Sequence, residues 1–216
     1  MSKNAISNSV IRRLPRYYRF LGELENNGYI RISSRELAEK MGLTASQIRQ
    51  DFNCFGEFGQ QGYGYNVDQL YDEIGSILGV DNGYKTVIIG MGNLGKALAA
   101  HMKFSRSGFD VIGLFDKDSA LIGEQVNGMP ILSVDDLADF CRENSPCVAV
   151  LCVPEAAARE NAEMLVANGV TNFWNFSHYD IAAEFPGTIS ENVHLNDSLR
   201  ILNYQIMHKE SYNQEA

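Results

Sequence analysis

The stretch that most constrains this chain is TVIIGMGNLGKAL, an apolar run that gives way to Gly90-Met91-Gly92-Asn93-Leu94-Gly95 and then to helix-forming residues. Glycines at this spacing say little alone, because glycine is common in turns. Set between a buried strand and a helix they form the dinucleotide fingerprint, and a chain that carries it is committed to a βαβ unit. Gly90 permits the tight turn, Gly92 lets a pyrophosphate approach the backbone, and Gly95 lets helix and strand pack closely. The first-turn amides and the helix dipole then hold the anion. An acidic residue is due about twenty positions later, at the tip of the second strand. Asp116, after VIGLF, stands 21 positions beyond Gly95. A carboxylate there accepts hydrogen bonds from both adenosine ribose hydroxyls and repels a 2′-phosphate, so NAD(H) is expected over NADP(H). The adjacent Lys117 softens that discrimination. The competing readings are a domain of this fold that binds CoA, or one whose site is vestigial.

From residue 85 onward the pattern alternates. TVIIG, VIGLF, PIL, VAVLCV, NFWNF and VHL read as strands, and residues 93–104, 134–142 and 155–168 as helices. This cadence implies an α/β fold, a parallel sheet with helices on both faces. A last helix is expected over 197–209. Its Leu199, Leu202 and Ile206 form one apolar stripe, and Ile201, Tyr204 and Met207 with His208 another. A helix apolar on two sides needs two covering surfaces, which a second subunit can supply. Packing within one chain is the alternative.

The N-terminal third is helical. A helix is expected over 8–26, bent or started at Pro15 and ended by Gly28. Ser33 and Glu36 make a capping box opening ELAEKM, Gly42 stops that helix, and Thr44 with Gln47 opens TASQIRQDFNCF. Two short helices so separated have helix-turn-helix spacing. The glycine- and aromatic-rich residues 55–65 suit a tight hairpin, the wing of a winged helix, before a helix over 67–78. A helical dimerisation or peptide-binding domain is the other reading of this spacing. Turn chemistry at residues 79–84 divides the chain into domains of about 1–80 and 84–196, followed by the terminal helix and tail, 197–216.

Charge makes sense only once the chain is divided. The whole carries 18 Lys+Arg against 27 Asp+Glu, a net charge of −9 that argues against a polyanionic partner. Residues 1–66 carry +3 and the remainder −12, so the cationic minority lies where nucleic acid would be met. No run of 18 apolar residues spans a membrane and no secretory core opens the chain. Cys54, Cys141, Cys147 and Cys152 show no CxxC spacing, so neither a metal site nor a disulfide framework is expected. Reduced thiols in a cytoplasmic protein follow. The histidines, His101, His178, His194 and His208, make no catalytic constellation, and little chain remains for a substrate domain. A nucleotide site joined to a DNA-reading domain points to a sensor, not an enzyme. A small NAD-dependent oxidoreductase with an accessory helical domain, or a nucleotide-binding interaction protein, stands as the alternative.

RLPRYYRFL, SSRELAEKMG, TASQIRQDF, FGEFGQQGYGYNV, IIGMGNLGKALA, LFDKD and the Asn-Phe after the fifth strand resemble the Rex family of redox-sensing transcriptional repressors, over essentially the whole chain. The resemblance implies a homodimer with an N-terminal winged helix-turn-helix domain, a Rossmann-like parallel-sheet domain that binds NAD(H), and a C-terminal helix exchanged between subunits. It implies binding to double-stranded operator DNA when NADH is low and release when NADH binds. It adds Val153, Pro154, Asn175 and Phe176 to the cofactor contacts. For base reading, Ser46, Gln47, Arg49 and Gln50 lie on the second helix of the motif. Arg49 suits guanine, and Gln47 or Gln50 suits adenine. Gln60, Gln61 and Tyr63 lie on the wing, while Arg12, Arg13 and Arg16 suit phosphate. Family members often carry Lys or Arg where this chain has Gln50, Gln60 and Gln61. Two-fold symmetry predicts a palindromic site. The family's switch, an Asp at the start of the exchanged helix choosing between an Arg and a Tyr, falls here on Asp197, Arg19 and His101. His101 replaces the Tyr, and imidazoles titrate near neutrality, so a pH-dependent coupling is expected.

Overall fold

The computed structural model describes residues 7–55 and 63–209. The chain forms two compact units that divide between Val80 and Asp81. In the first, the expected opening helix is two: α1 (Asn8–Ile11) and α2 (Leu14–Asn26), with Pro15 in the first turn of the second. Proline is tolerated there because that turn's N–H groups have no intrahelical partner. α3 (Ser34–Met41) starts at the capping box, Ser33 and Glu36 exchanging both hydrogen bonds, and stops at Gly42 in the left-handed conformation. α4 (Ala45–Asn53) follows, with the Thr44 hydroxyl accepting from the Gln47 amide. α5 (Val67–Leu78) closes the unit, capped by Asn66. Strands β1 (Arg31–Ile32) and β2 (Tyr65–Asn66) pair antiparallel. The hairpin expected over 55–65 lies largely outside the described residues. Leu14, Tyr17 and Leu21 of α2 meet Leu37, Ile48, Phe52, Leu70 and Ile74 in one core.

The second unit is a seven-stranded sheet in the order β5-β6-β4-β3-β7-β8-β9. Its strands are β3 (Tyr84–Ile89), β4 (Phe109–Asp116), β5 (Gln125–Val126), β6 (Met129–Ser133), β7 (Val148–Leu151), β8 (Asn172–Asn175) and β9 (Ile189–Asn192). All pair parallel except β5, antiparallel to β6. The order runs both ways from β3, so β3 and β7 flank the crevice where such sheets bind ligands. Val87, Ile89, Phe115 and Leu151 face α7 (Leu137–Asn144) and α8 (Glu155–Ala167). Ile88, Leu114 and Val150 face the other way, towards Leu98 of α6 (Asn93–His101) and Phe104. On that second face, Phe104, Phe109, Val150, Trp174 and Ile189 line an apolar groove of about 420 Å³. A short helix α9 (Ile181–Glu184) and the terminal α10 (Leu195–Met207) complete the unit.

Several elements differ from expectation: residues 134–142 open with a 3₁₀ turn over Val134–Asp136 before α7, and the terminal helix begins at Leu195 and ends at Met207. Residues 93–104 are a helix only to His101, followed by a 3₁₀ turn over Phe104–Ser107. VHL is not a strand: β9 ends at Asn192, and His194 is the N-cap of α10. The β5–β6 hairpin is additional to the expected strands, although Asn127-Gly128, both at positive φ, carry the signature of its two-residue turn.

Candidate functional site

The fingerprint turn leaves β3 through Gly90, whose φ of +91° puts a substituted Cβ 2.7 Å from the Cys152 carbonyl oxygen. At Gly95 a Cβ would collide with the Gly90 carbonyl oxygen. Gly92 is different. Its φ of −66° suits any residue, and nothing lies within 4 Å of where its Cβ would be. Protein packing makes no demand for glycine there. The open space in front of it does, if a pyrophosphate is to reach the backbone. Gly92 is also the N-cap of α6 and gives that helix no side-chain cap, whereas α3, α4 and α5 all have one. The first-turn amides of α6 thus stay available to an anion.

Asp116 ends β4 beside this turn. Its Oδ2 accepts from the Met91 amide at 2.5 Å and its Oδ1 from the Asp118 amide at 2.9 Å. An ionised carboxylate has about four lone-pair sites, so two remain for ribose hydroxyls. Met91 is buried, Leu94 is half-buried, and Asn93 and Lys117 are exposed. Val153 and Pro154 follow β7, across the crevice, with Pro154 as N-cap of α8. Burial pushes the neighbouring Cys152 thiol up to about 12, so it is a neutral packing group and no nucleophile.

Asn175, expected at the cofactor, has its side chain tied into the loop that follows β8. It is fully buried, its amide N–H groups donate to the Tyr179 carbonyl and to Asn192 Oδ1, and its own Oδ1 accepts from the Ser177 amide and hydroxyl. With every site spoken for, Asn175 shapes the loop after β8 and has no side-chain group left for a cofactor. Phe176, on that loop, packs edge-on to Trp174 at 4.6 Å. His178 and His194 lie flat against one another at 5.2 Å, a pairing that sequence spacing does not reveal.

In the first unit, α4 buries Ile48, Asp51 and Phe52 and leaves Ser46, Arg49 and Gln50 exposed and Gln47 half-exposed. Its outer face is thus the polar row expected. Arg49 Nη1 donates to Ser34 Oγ at 3.1 Å, bracing the side chain from α3. Tyr63 is exposed, and Gln60 and Gln61 lie outside the described residues. Arg12 is exposed and Arg16 donates to the Met41 carbonyl. Arg13, expected at phosphate, is turned toward Asp51: Nε and Nη2 both donate to its carboxylate, at 2.7 and 2.8 Å. The Tyr17 hydroxyl donates to the same carboxylate at 2.7 Å. Burial, then the Asp51 hydrogen bond, push the Tyr17 phenol well above its ordinary range. Sequence spacing does not flag Asp51, though a carboxylate on the core side of an amphipathic helix is the available signal.

The three residues expected to form the switch are exposed: Arg19 on α2, His101 at the end of α6 and Asp197 in the first turn of α10. Asp197 holds Arg200 at 2.8 Å. Among the described residues no three His, Cys, Asp or Glu side chains converge to hold a metal ion, and no helix is long and apolar enough to cross a membrane.

Two family models match the chain: "putative DNA-binding protein N-terminus" over residues 5–53 and "CoA binding domain" over residues 81–179. The redox-sensing transcriptional repressor Rex of Caldicellulosiruptor saccharolyticus is 46% identical over 214 residues, covering 99% of this chain and 97% of its own. That of Clostridium perfringens is 49% identical over 209 residues, covering 96% and 98%. Among solved structures, RSP in complex with β-NAD+ and operator DNA superposes with a TM-score of 0.88 at 47% identity, covering 98% of this chain and 97% of its own. RSP with β-NADH gives 0.87 at 44%, covering 99% and 100%. With the two units and their fingerprint turn in place, identity at this level over nearly the full length decides the matter: the chain belongs to the Rex family of redox-sensing transcriptional repressors.

Proposed function

We propose that this protein is a DNA-binding repressor that reads the NADH/NAD+ ratio, binding a palindromic operator when NADH is low and releasing it when NADH binds. One observation carries the reading. A single chain joins an uncapped helix N-terminus with a carboxylate beside it to a helix-turn-helix whose second helix turns a polar row outward. Asp116 favours NAD(H) over a 2′-phosphorylated dinucleotide and over CoA, whose ribose also carries a phosphate. We assign residues 1–80 to DNA, 84–196 to NAD(H), and 197–216 to pairing of two subunits in a cytoplasmic homodimer. The paired subunits support α10, which buries none of its own side chains, and cover the apolar groove. The relatives are named transcriptional repressors, which supports a sensor over an enzyme.

The switch rests on differential affinity, since a ligand that binds both states equally shifts nothing. Asp197 pairs with Arg19 in the DNA-competent state, and His101 takes the carboxylate when NADH is bound. The exposed Asp197–Arg200 pair is worth no more than about 1 kcal/mol, so it yields readily to either partner. The test is an operator duplex, selected by the protein from a randomised palindromic pool, titrated separately with NAD+ and NADH at fixed salt. NADH releases the duplex and NAD+ does not, and Asp197→Ala binds it but ignores NADH. Normal release from Asp197→Ala refutes this switch, and indifference of the unaltered protein to both nucleotides refutes sensing.

A further inference from the structure

Asp51 is out of place by every local rule. It is a carboxylate exposed only 2%, on the core side of α4, between Ile48 and Phe52. It also sits in the last turn, where the helix dipole disfavours negative charge. A buried carboxylate persists only when paired and hydrogen-bonded. Here three donors converge on it: the two-pronged Arg13 fork and the Tyr17 hydroxyl, from the start of α2. Apolar contact alone would hold α4 against α2, as Tyr17 and Phe52 already do, ring edge to face at 5.1 Å. What a planar fork adds is geometry, because two parallel N–H···O bonds fix both rotation and slide. On α4, rotation decides where Arg49 and Gln50, the residues immediately before Asp51, are aimed.

We propose that Asp51 and Arg13 are positioning residues for base readout, setting the rotation of α4 about its axis, and that Arg13 acts through Asp51 and makes no phosphate contact of its own. The proposal rests on the reading of α4 as the helix that meets DNA. The two roles for Arg13 have different signatures. A phosphate contact weakens binding to every duplex alike when lost, and reduces the slope of log affinity against log salt by about 0.9 per contact. Loss of aim costs the operator selectively and leaves the slope unchanged.

The experiment compares the full-length protein with Arg13→Gln, Asp51→Asn, the double variant and Tyr17→Phe. Each is measured on the selected operator and on a scrambled duplex across a salt series. Thermal unfolding and circular dichroism establish that the altered unit is folded in each variant, and NADH binding that the other unit is untouched. Arg13→Gln and Asp51→Asn each lose about tenfold or more on the operator, the worth of one misaimed bidentate base contact per half-site. Binding to the scrambled duplex and the salt slope do not change, and the double variant loses no more than the worse single. Tyr17→Phe, which removes one hydroxyl and keeps the core filled, shows the same selective loss in smaller measure. Additive losses in the double variant, with a shallower slope in both variants that lack the Arg13 guanidinium, overturn the proposal while DNA binding stands. Failure of the unaltered protein to prefer any duplex overturns the DNA reading and this proposal with it.

Discussion

At Gly92 and Gly95, three positions apart, the same substitution differs in what it does to stability. An added Cβ at Gly95 would run into the Gly90 carbonyl, so Gly95→Ala forces a backbone shift. It costs roughly 1–3 kcal/mol as overpacking, and lowers both the melting temperature and NADH affinity. An added Cβ at Gly92 meets nothing. Gly92→Ala leaves stability within about 0.5 kcal/mol, yet weakens NADH about tenfold or more, the equivalent of some 1.4 kcal/mol of lost approach to the pyrophosphate. Unfolding curves without ligand, beside calorimetric NADH titrations, read the two quantities separately. Cys152 gives a pH signature next to the same turn. Unfolded, the thiol titrates near about 8.5; folded, burial raises it to about 12. Between those values the unfolded chain has lost a proton that the native chain keeps, so stability falls as pH rises through this window and is unaffected below it. The denaturant midpoint therefore drops as pH rises above the ordinary thiol range, and Cys152→Ala shows a smaller drop.

Elements divide sharply into those legible in the sequence and those that are not. β3, β4 and β7 announce themselves because strands buried on both faces read as continuous apolar runs, and α3 because its capping box satisfies two amides locally. The sequence pattern puts the last strand on VHL instead of β9 because Ile189–Asn192 is an edge strand with little buried apolar surface to mark it. Of the candidate site, the glycine turn, Asp116 and the outer row of α4 are readable, since each depends on neighbours in sequence. The Arg13–Asp51 fork, 38 residues apart, and the Asn175–Asn192 bond, 17 apart, depend on tertiary approach that no spacing rule encodes. α10 is the element whose surroundings matter most. Leu199, Ile201, Leu202, Tyr204, Ile206 and Met207 are each between 49% and 72% exposed. A thirteen-residue helix that buries none of its side chains is marginal in water. On the proposed pairing of subunits through α10, Leu202→Glu with Ile206→Glu converts the dimer to monomer and reduces helical content. The melting of the sheet unit, whose cores contain no α10 side chain, stays in place. Light scattering after size-exclusion chromatography and circular dichroism report the two effects, and a dimer that persists at micromolar concentration contradicts the assignment of α10.

Across the whole molecule, charge and recognition are separated in a way the net value of −9 conceals. The +3 of residues 1–66 is small for a DNA-binding surface, and Gln stands at positions 50, 60 and 61. Bulk attraction to phosphate is correspondingly modest, so discrimination has to come from base contacts and from the doubling of half-sites in a dimer. Two arginines with different proposed duties make this measurable. Arg12, exposed at the end of α1 and assigned to phosphate, contributes once per subunit. Arg12→Gln should reduce the salt slope by about 1.8 for the dimer and weaken all duplexes in equal proportion. Arg49 stands on the outer face of α4, braced by Ser34, where its fork suits guanine. Arg49→Ala should cost about 1–3 kcal/mol per half-site on the operator, and relax the preference at a single base-pair position in each half. A selection repeated with Arg49→Ala identifies that position as the one that loses its guanine. If instead the two variants weaken every sequence alike and flatten the slope by the same amount, Arg49 is a phosphate contact and the sequence-reading face of α4 begins elsewhere.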